Sequence, residues 1–128
     1  MDIVGNGVDI IENKRIRKSL KIRGFISRIF TKNEINKSKK FNNKVNYLAK
    51  RFAAKEALSK AIGTGFRKGL NFKDITIVND KLGKPYFRKT KKINNLIYKK
   101  FKVKKYNLYL SISDEKDYSI AFTIIQKQ

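Results

Sequence analysis

Reactive side chains are scarce in this sequence, and the scarcity narrows the chemistry. With Cys 0 and His 0 among 128 residues, thiol nucleophiles, imidazole bases and the usual zinc ligands are excluded. Any reaction must run on carboxylates, hydroxyls, amines and backbone. Glu56 stands out, because residues 44–62, KVNYLAKRFAAKEALSKAI, contain no other acid. On a helix turning about 100° per residue, Glu56 falls within about 20° of Val45 and in line with Ala49 and Phe52. The carboxylate thus points out of an apolar stripe, where it is costly unless paired, hydrogen-bonded or metal-bound. Lys60, one turn on, offers an ion pair worth only about 0.3–0.5 kcal/mol, the commoner fate of such a pair. The functional alternative is a divalent cation. Mg²⁺ takes one or two carboxylates and fills its other positions with water and phosphate. Asp9, preceded by Gly5 and Gly7, is the available second carboxylate, although a turn or cap is the commoner role for such an aspartate.

Two glycine segments bear on a phosphate ligand. Gly63-Thr64-Gly65 is expected to expose backbone N–H groups beside Lys55 and Lys60. It follows a helix instead of opening one, so it serves equally as a plain helix stop. Gly83-Lys84-Pro85 reads as a hairpin turn on its own.

The elements that must position these residues can be read from pattern. Ile3 to Asp9 alternates as a strand, and Asn13 is placed to cap a basic helix running to about Leu20. A short helix over 25–30 leads into Thr31 and Glu34, spaced as a capping box. The Ala-, Leu- and Lys-rich stretch 44–62 predicts the longest helix, stopped by Gly63. Residues 74–78 predict a strand, 79–83 a turn, 84–87 an edge-like strand, and 91–101 a further helix. Alternation over 108–113 and 118–124 predicts a closing hairpin. The class is α+β: a small antiparallel sheet packed with one long and several short helices, in a single domain over 1–128.

Composition adds a partner. Lys+Arg 32 against Asp+Glu 10 gives +22, so an anionic partner is expected. On composition alone a basic RNA-binding protein of ribosomal type is the leading alternative, but no stacking motif of the RRM kind is present. No apolar run reaches the roughly 18–20 residues of a membrane span, and Met1-Asp2-Ile3-Val4 does not open a signal peptide, so a cytoplasmic location is expected.

GNGVDIIENKRI, RFAAKEALSKAIGTG, DITIVNDKLGKPY and LSISDEKDYSIAF together resemble the holo-acyl-carrier-protein synthase family, the trimeric bacterial branch of the 4′-phosphopantetheinyl transferases. The match spans nearly the whole chain in order, and RFAAKEALSKAIGTG is its most specific part. The resemblance implies Mg²⁺-dependent transfer of 4′-phosphopantetheine from coenzyme A to a serine of acyl carrier protein. That reaction belongs to fatty acid biosynthesis and releases adenosine 3′,5′-bisphosphate. It implies that Asp9 and Glu56 hold Mg²⁺, that Lys60 neutralises diphosphate oxygens, and that Arg51 and Lys55 lie near the ligand's phosphates. Gly63, Thr64 and Gly65 would give close backbone approach, and Gly83, Lys84 and Pro85 would flank the adenine. Glu56, acting through a water, is the preferred acceptor of the serine proton. The first basic helix would meet the acidic carrier protein, with Arg15 as the best-matched contact and Lys18, Lys21, Arg23 and Arg28 as its neighbours. A homotrimer with active sites at subunit interfaces is implied, with neither nucleic acid nor membrane as partner. The chain departs from the family at Asp114, where histidine is usual. An anion there opposes a coenzyme A phosphate unless a cation such as Lys116 compensates.

Overall fold

The computed structural model describes residues 2–67 and 69–128. Its elements in chain order are β1 (Ile3–Glu12), α1 (Asn13–Ser19), α2 (Phe25–Ile29), α3 (Lys32–Ser38) and α4 (Lys44–Ile62). A 3₁₀ turn (Phe72–Asp74), β2 (Ile77–Asn79), β3 (Pro85–Phe87), α5 (Lys91–Phe101), β4 (Tyr106–Asp114) and β5 (Tyr118–Lys127) follow. The architecture is α+β, as the pattern predicts. β5 is the middle strand of an antiparallel sheet ordered β1-β5-β4, and β2 pairs with β3 in a separate ribbon.

The long helix lies against the inner face of the three-stranded sheet. A Cβ on Gly7 would overlap the Ala57 carbonyl oxygen, and one on Gly5 would overlap that of Ala61. Those two glycines therefore let β1 approach the alanine ridge Ala53, Ala57 and Ala61 at backbone distance. Alternation then carries Asp9 and Ile11 to the same inner face. α4 has no single apolar stripe. Leu48, Ala49, Ala53, Ala54, Ala57, Leu58, Ala61 and Ile62 are all buried, because sheet, short helices and loops surround the helix. Val45, Phe52 and Glu56 occupy its half-buried margin. The opposite face of the sheet is different: Val8, Ile10, Tyr118, Ile120 and Phe122 are exposed. Register places Val8 beside Phe122 and Ile10 beside Ile120.

Local signals explain most boundaries. Thr31 and Glu34 form the capping box, with the Thr31 hydroxyl accepting from Glu34 N and Glu34 Oε1 accepting from Thr31 N. Gly63 ends α4 at φ 90°, the left-handed geometry glycine takes without strain. Three expectations need correction. β1 runs past Asp9 to Glu12, because its pairing with β5 continues to Tyr118. The strand expected over 74–78 is replaced at its start by the 3₁₀ turn, where Asp74 Oδ2 accepts from Asn71 N, and only 77–79 pair. Asn13 does not cap α1 from outside; it is the first helical residue, preceded by Glu12, and is buried.

Candidate active site

Asp9 projects from β1 toward the last two turns of α4. There Lys60 Nζ lies 3.0 Å from Asp9 Oδ1 and 3.1 Å from the Val8 carbonyl oxygen. Lys60 thus reaches across to the strand, and among the described residues no ion pair joins it to Glu56. Burial pushes the Asp9 carboxyl above its ordinary pKa, against the opposing pull of Lys60 and Arg15. Burial also raises Glu56, and the Asp9 charge raises it further, with Lys60 opposing. The strand acid and the helix acid are therefore electrostatic neighbours. Lys60 pairs with Asp9 and Arg15 acts on it as well, whereas Glu56 has no ion pair among the described residues and is raised by burial and by its acidic neighbour; a hard divalent cation would relieve that charge. Among the described residues no group of three acids surrounds the pair. A Mg²⁺ held here would complete its shell with water and ligand phosphate, the donor set that ion prefers.

Lys55, expected near ligand phosphates, lies elsewhere. Its ammonium is fully buried, 2.8 Å from Glu34 Oε1, and donates to the carbonyls of Ile75 at 2.7 Å and Phe72 at 3.0 Å. One helical step from Glu56 rotates the side chain about 100°, away from β1 and into the contact with α3 and the 3₁₀ turn. All three N–H donors are satisfied there, so none is left for a phosphate. Burial lowers the Lys55 pKa, and the Glu34 charge resists that. The Gly63-Thr64-Gly65 expectation also changes: the N–H groups of Gly63 and Gly65 both donate to the Ser59 carbonyl and are not offered to a ligand. A glycine without a side chain still leaves room there, with nothing within 4 Å of a Cβ placed on Gly65.

Of the remaining predicted ligand-binding residues, Arg51, Gly83 and Pro85, but not Lys84, line a cavity of about 640 Å³, together with Asn79, Asp114, Lys37, Lys40 and Lys50. Arg51 is buried, stacked 4.6 Å over the Tyr47 ring and bonded to Asn79 Oδ1. Phe41 stacks on the same Tyr47 ring at 4.8 Å. Arg51 Nε and the Tyr47 hydroxyl have no hydrogen-bond partner among the described residues, an unfavourable state that a polar ligand removes. Lys84 is exposed; its backbone N–H donates to Asp80 Oδ1, shaping the turn. Arg51 is five residues before Glu56, about 140° around the helix, so the cationic cavity and the acid pair open on different sides of α4.

The comparisons with known proteins meet this geometry. The model of the 4′-phosphopantetheinyl transferase superfamily matches residues 5–123. A holo-[acyl-carrier-protein] synthase of Pelagibacter ubique is 60% identical over 128 residues, covering 100% of both chains. The chain belongs to this family. Among solved structures, the holo-[acyl-carrier-protein] synthase of Neisseria meningitidis is 41% identical with a TM-score of 0.85, covering 98% of this chain and 100% of that one. The Bacillus anthracis synthase, crystallised with CoA (3′,5′-ADP), is 38% identical with a TM-score of 0.82 and 98% coverage of each chain.

In this member of the holo-[acyl-carrier-protein] synthase family, Arg15, Lys18, Lys21, Arg23 and Arg28 are all exposed. None of them makes an ion pair among the described residues. Arg15 is close enough to act on Asp9, so the basic helix α1 borders the acid pair. Two residues that the sequence marked only as helix caps complete the framework. Glu34 neutralises Lys55, and Asn13 donates to the Glu115 and Lys116 carbonyls, tying α1 to the β4–β5 turn. For Glu34 the capping-box spacing was a signal, though it pointed only to α3.

Proposed function

We propose that this chain transfers 4′-phosphopantetheine from coenzyme A to a serine of acyl carrier protein, releasing adenosine 3′,5′-bisphosphate, in cytoplasmic fatty acid biosynthesis. The convergence of Asp9, Glu56 and Lys60 at one edge of the sheet carries this reading. The carrier serine oxygen forms a bond to the phosphorus that bears pantetheine. The bond from that phosphorus to the bridging oxygen breaks, and the electron pair leaves with the adenosine bisphosphate. Asp9 and Glu56 would hold Mg²⁺, which when bound supplies charge neutralisation at the diphosphate. Lys60, exposed and able to turn from Asp9, offsets charge developing on the leaving oxygen. Glu56 accepts the serine proton through a water, a role suited to a carboxylate whose basicity is raised by burial.

The cationic cavity is assigned to the nucleotide end of coenzyme A, with Arg51 and its neighbouring lysines on phosphate and Gly83 and Pro85 beside the base. Because the two half-sites face different sides of α4, we place one ligand between two copies of the chain. Repetition of one such unlike contact closes a ring, here a homotrimer with active sites at subunit interfaces. The exposed apolar face of Val8, Ile10, Ile120 and Phe122 supplies the contact surface. The exposed cations of α1 face an acidic carrier protein, which accounts for positive charge that composition alone would equally give to an RNA-binding protein. The test is a mass measurement on apo-acyl carrier protein incubated with the chain and coenzyme A. Addition of phosphopantetheine is expected with Mg²⁺ and its loss with excess chelator. Undiminished transfer in chelator would overturn the metal assignment, and no transfer in Mg²⁺ would overturn the activity.

A further inference from the structure

The basic helix α1 has seven residues and little of its own to hold it. Helices that short are marginal in water and take their stability from packing. Glu12 precedes it without a side-chain cap, and no acid occupies its first turn, where a carboxylate favours the N-terminus. Two buried residues fasten it instead, Ile16 by packing and Asn13 by hydrogen bonds. The Asn13 backbone N–H donates to the Asp117 carbonyl at 2.7 Å. Its Nδ2 donates to the carbonyls of Lys116 at 3.1 Å and Glu115 at 3.3 Å, and its Oδ1 accepts from the Ser119 hydroxyl at 2.8 Å. Asn13 is 5% exposed and Ser119 0%, so water competes little for these bonds. The same turn borders the start of the helix on a second side. Lys116, the cation expected from the sequence to compensate Asp114, lines a separate cavity with Glu12, Lys14 and Arg17.

At about 100° per residue, Arg15 stands about 160° around α1 from Asn13, and Lys18 about 140°. Bonds that hold one face of the helix thereby fix the direction of the cations on the other. We propose that Asn13 is a positioning residue for the acyl carrier protein: by clamping α1 to the β4–β5 turn, it sets the rotation at which Arg15 and Lys18 meet the acidic partner. The proposal rests on the reading that α1 receives the carrier. Cations on a loosened helix still attract an acidic protein from a distance, but exposed pairs are individually weak and count only when their geometry is held. The turn does not depend on Asn13 in return, because the Glu115 N–H donates to the Tyr118 carbonyl at 2.9 Å within the hairpin. Losing the Asn13 side chain therefore frees the helix, and the acid pair and the Arg51 cavity stay in place.

Steady-state kinetics of the full chain with Mg²⁺, varying apo-acyl carrier protein and coenzyme A in turn, tests this. Asn13→Ala should raise the KM for the carrier about three- to tenfold, with kcat and the KM for coenzyme A within about twofold. Ser119→Ala removes one of the four bonds and should shift the carrier KM in the same direction by less; it decides the question alone if Asn13→Ala does not fold. With fewer aligned charges, the carrier KM of Asn13→Ala should also climb less steeply with salt than that of the unaltered chain. Ile97→Val trims the buried core under α5 and separates positioning from stability: it should lower the melting temperature and leave the carrier KM unmoved. An unchanged carrier KM in Asn13→Ala, an equal rise in both KM values, or the same carrier effect in Ile97→Val overturns the proposal. A carrier KM that Lys18→Glu leaves unchanged overturns the reading of α1 as the carrier's site.

Discussion

Of the neighbouring carboxylates Asp9 and Glu56, only Asp9 pairs with a lysine among the described residues, whereas the cavity beside Arg51 sets four cations around one carboxylate. A third cluster, Lys55 with Glu34, is fully buried and balanced one to one, with every ammonium proton bonded. Balanced charge in the interior holds elements together and leaves nothing over for a ligand. Surplus charge at a margin, negative on one side of α4 and positive on the other, marks where something from outside completes the account. The acid half is built on regular elements, and in the proposed reaction its surplus bears on the reacting bond. The cationic half combines the first turns of α4 with loops, and in the proposed reaction its surplus holds the nucleotide.

That division predicts different kinetic losses. Asp9→Ala or Glu56→Ala should reduce kcat about 10³-fold or more, since metal-dependent charge neutralisation is worth several kcal/mol at the transition state. The mass assay on the carrier reads this, with circular dichroism showing the fold retained. Phe122→Glu touches neither half-site, yet it places a charge on the exposed apolar face of the sheet. It should dissociate the assembly in sedimentation and reduce transfer about 100-fold, as expected if a site needs two chains. A monomer by sedimentation with undiminished transfer would show that one chain suffices, and the separation of the halves would lose its meaning.

How much of this was readable in the sequence follows from the same contrast. Glu56 announced itself because an acid in an Ala- and Leu-rich helix is anomalous whatever surrounds it, and the bounds of α4 followed from propensity and Gly63. Lys55 misled because a lysine beside Glu56, in a helix that the resemblance sets against a phosphate ligand, reads as one more phosphate contact. Its partner Glu34 is placed by tertiary packing that no spacing rule encodes, and Glu34 already had a local role in the α3 capping box. Asn13 misled similarly: asparagine before a helical run signals a cap, and only the returning hairpin turn supplied its carbonyl partners. The 3₁₀ turn at 72–74 displaced a predicted strand because the Asn71–Asp74 bond competes locally with pairing. Arg51, Gly83 and Pro85 carried no pattern that joins them; only the fold brings them to one cavity.

A smaller effect separates binding from chemistry. Arg51→Gln can retain the hydrogen bond to Asn79 while losing the charge. It should raise the KM for coenzyme A about tenfold, the scale of a charge-assisted hydrogen bond, and leave kcat within about twofold. Steady-state kinetics with varied coenzyme A decides this. If kcat falls as steeply as in Glu56→Ala, Arg51 acts on the reacting bond and the two halves do not divide the work.

The smallest expected effect is on stability, and its sign is the informative part. In the folded chain burial and the Asp9 charge raise the Glu56 pKa. An acid whose folded pKa exceeds its unfolded value destabilises the fold when ionised, and that penalty is relieved as pH falls through the folded value. Glu56→Gln removes the charge outright, so the metal-free variant should be more stable at pH 7, by about 0.5 kcal/mol, in the manner of other sites where function opposes stability. Thermal melts in chelator should show the gain at pH 7 and a smaller one at pH 5, where the unaltered chain is partly relieved by protonation. Added Mg²⁺ should then raise the melting temperature of the unaltered chain more than that of the variant, because only a ligand that prefers the folded state stabilises it. A variant that melts lower than the unaltered chain in chelator at both pH values would mean that Glu56 is satisfied without a metal. The negative surplus on that side of α4 would then be structural, like the Lys55 pair, and would not mark a site.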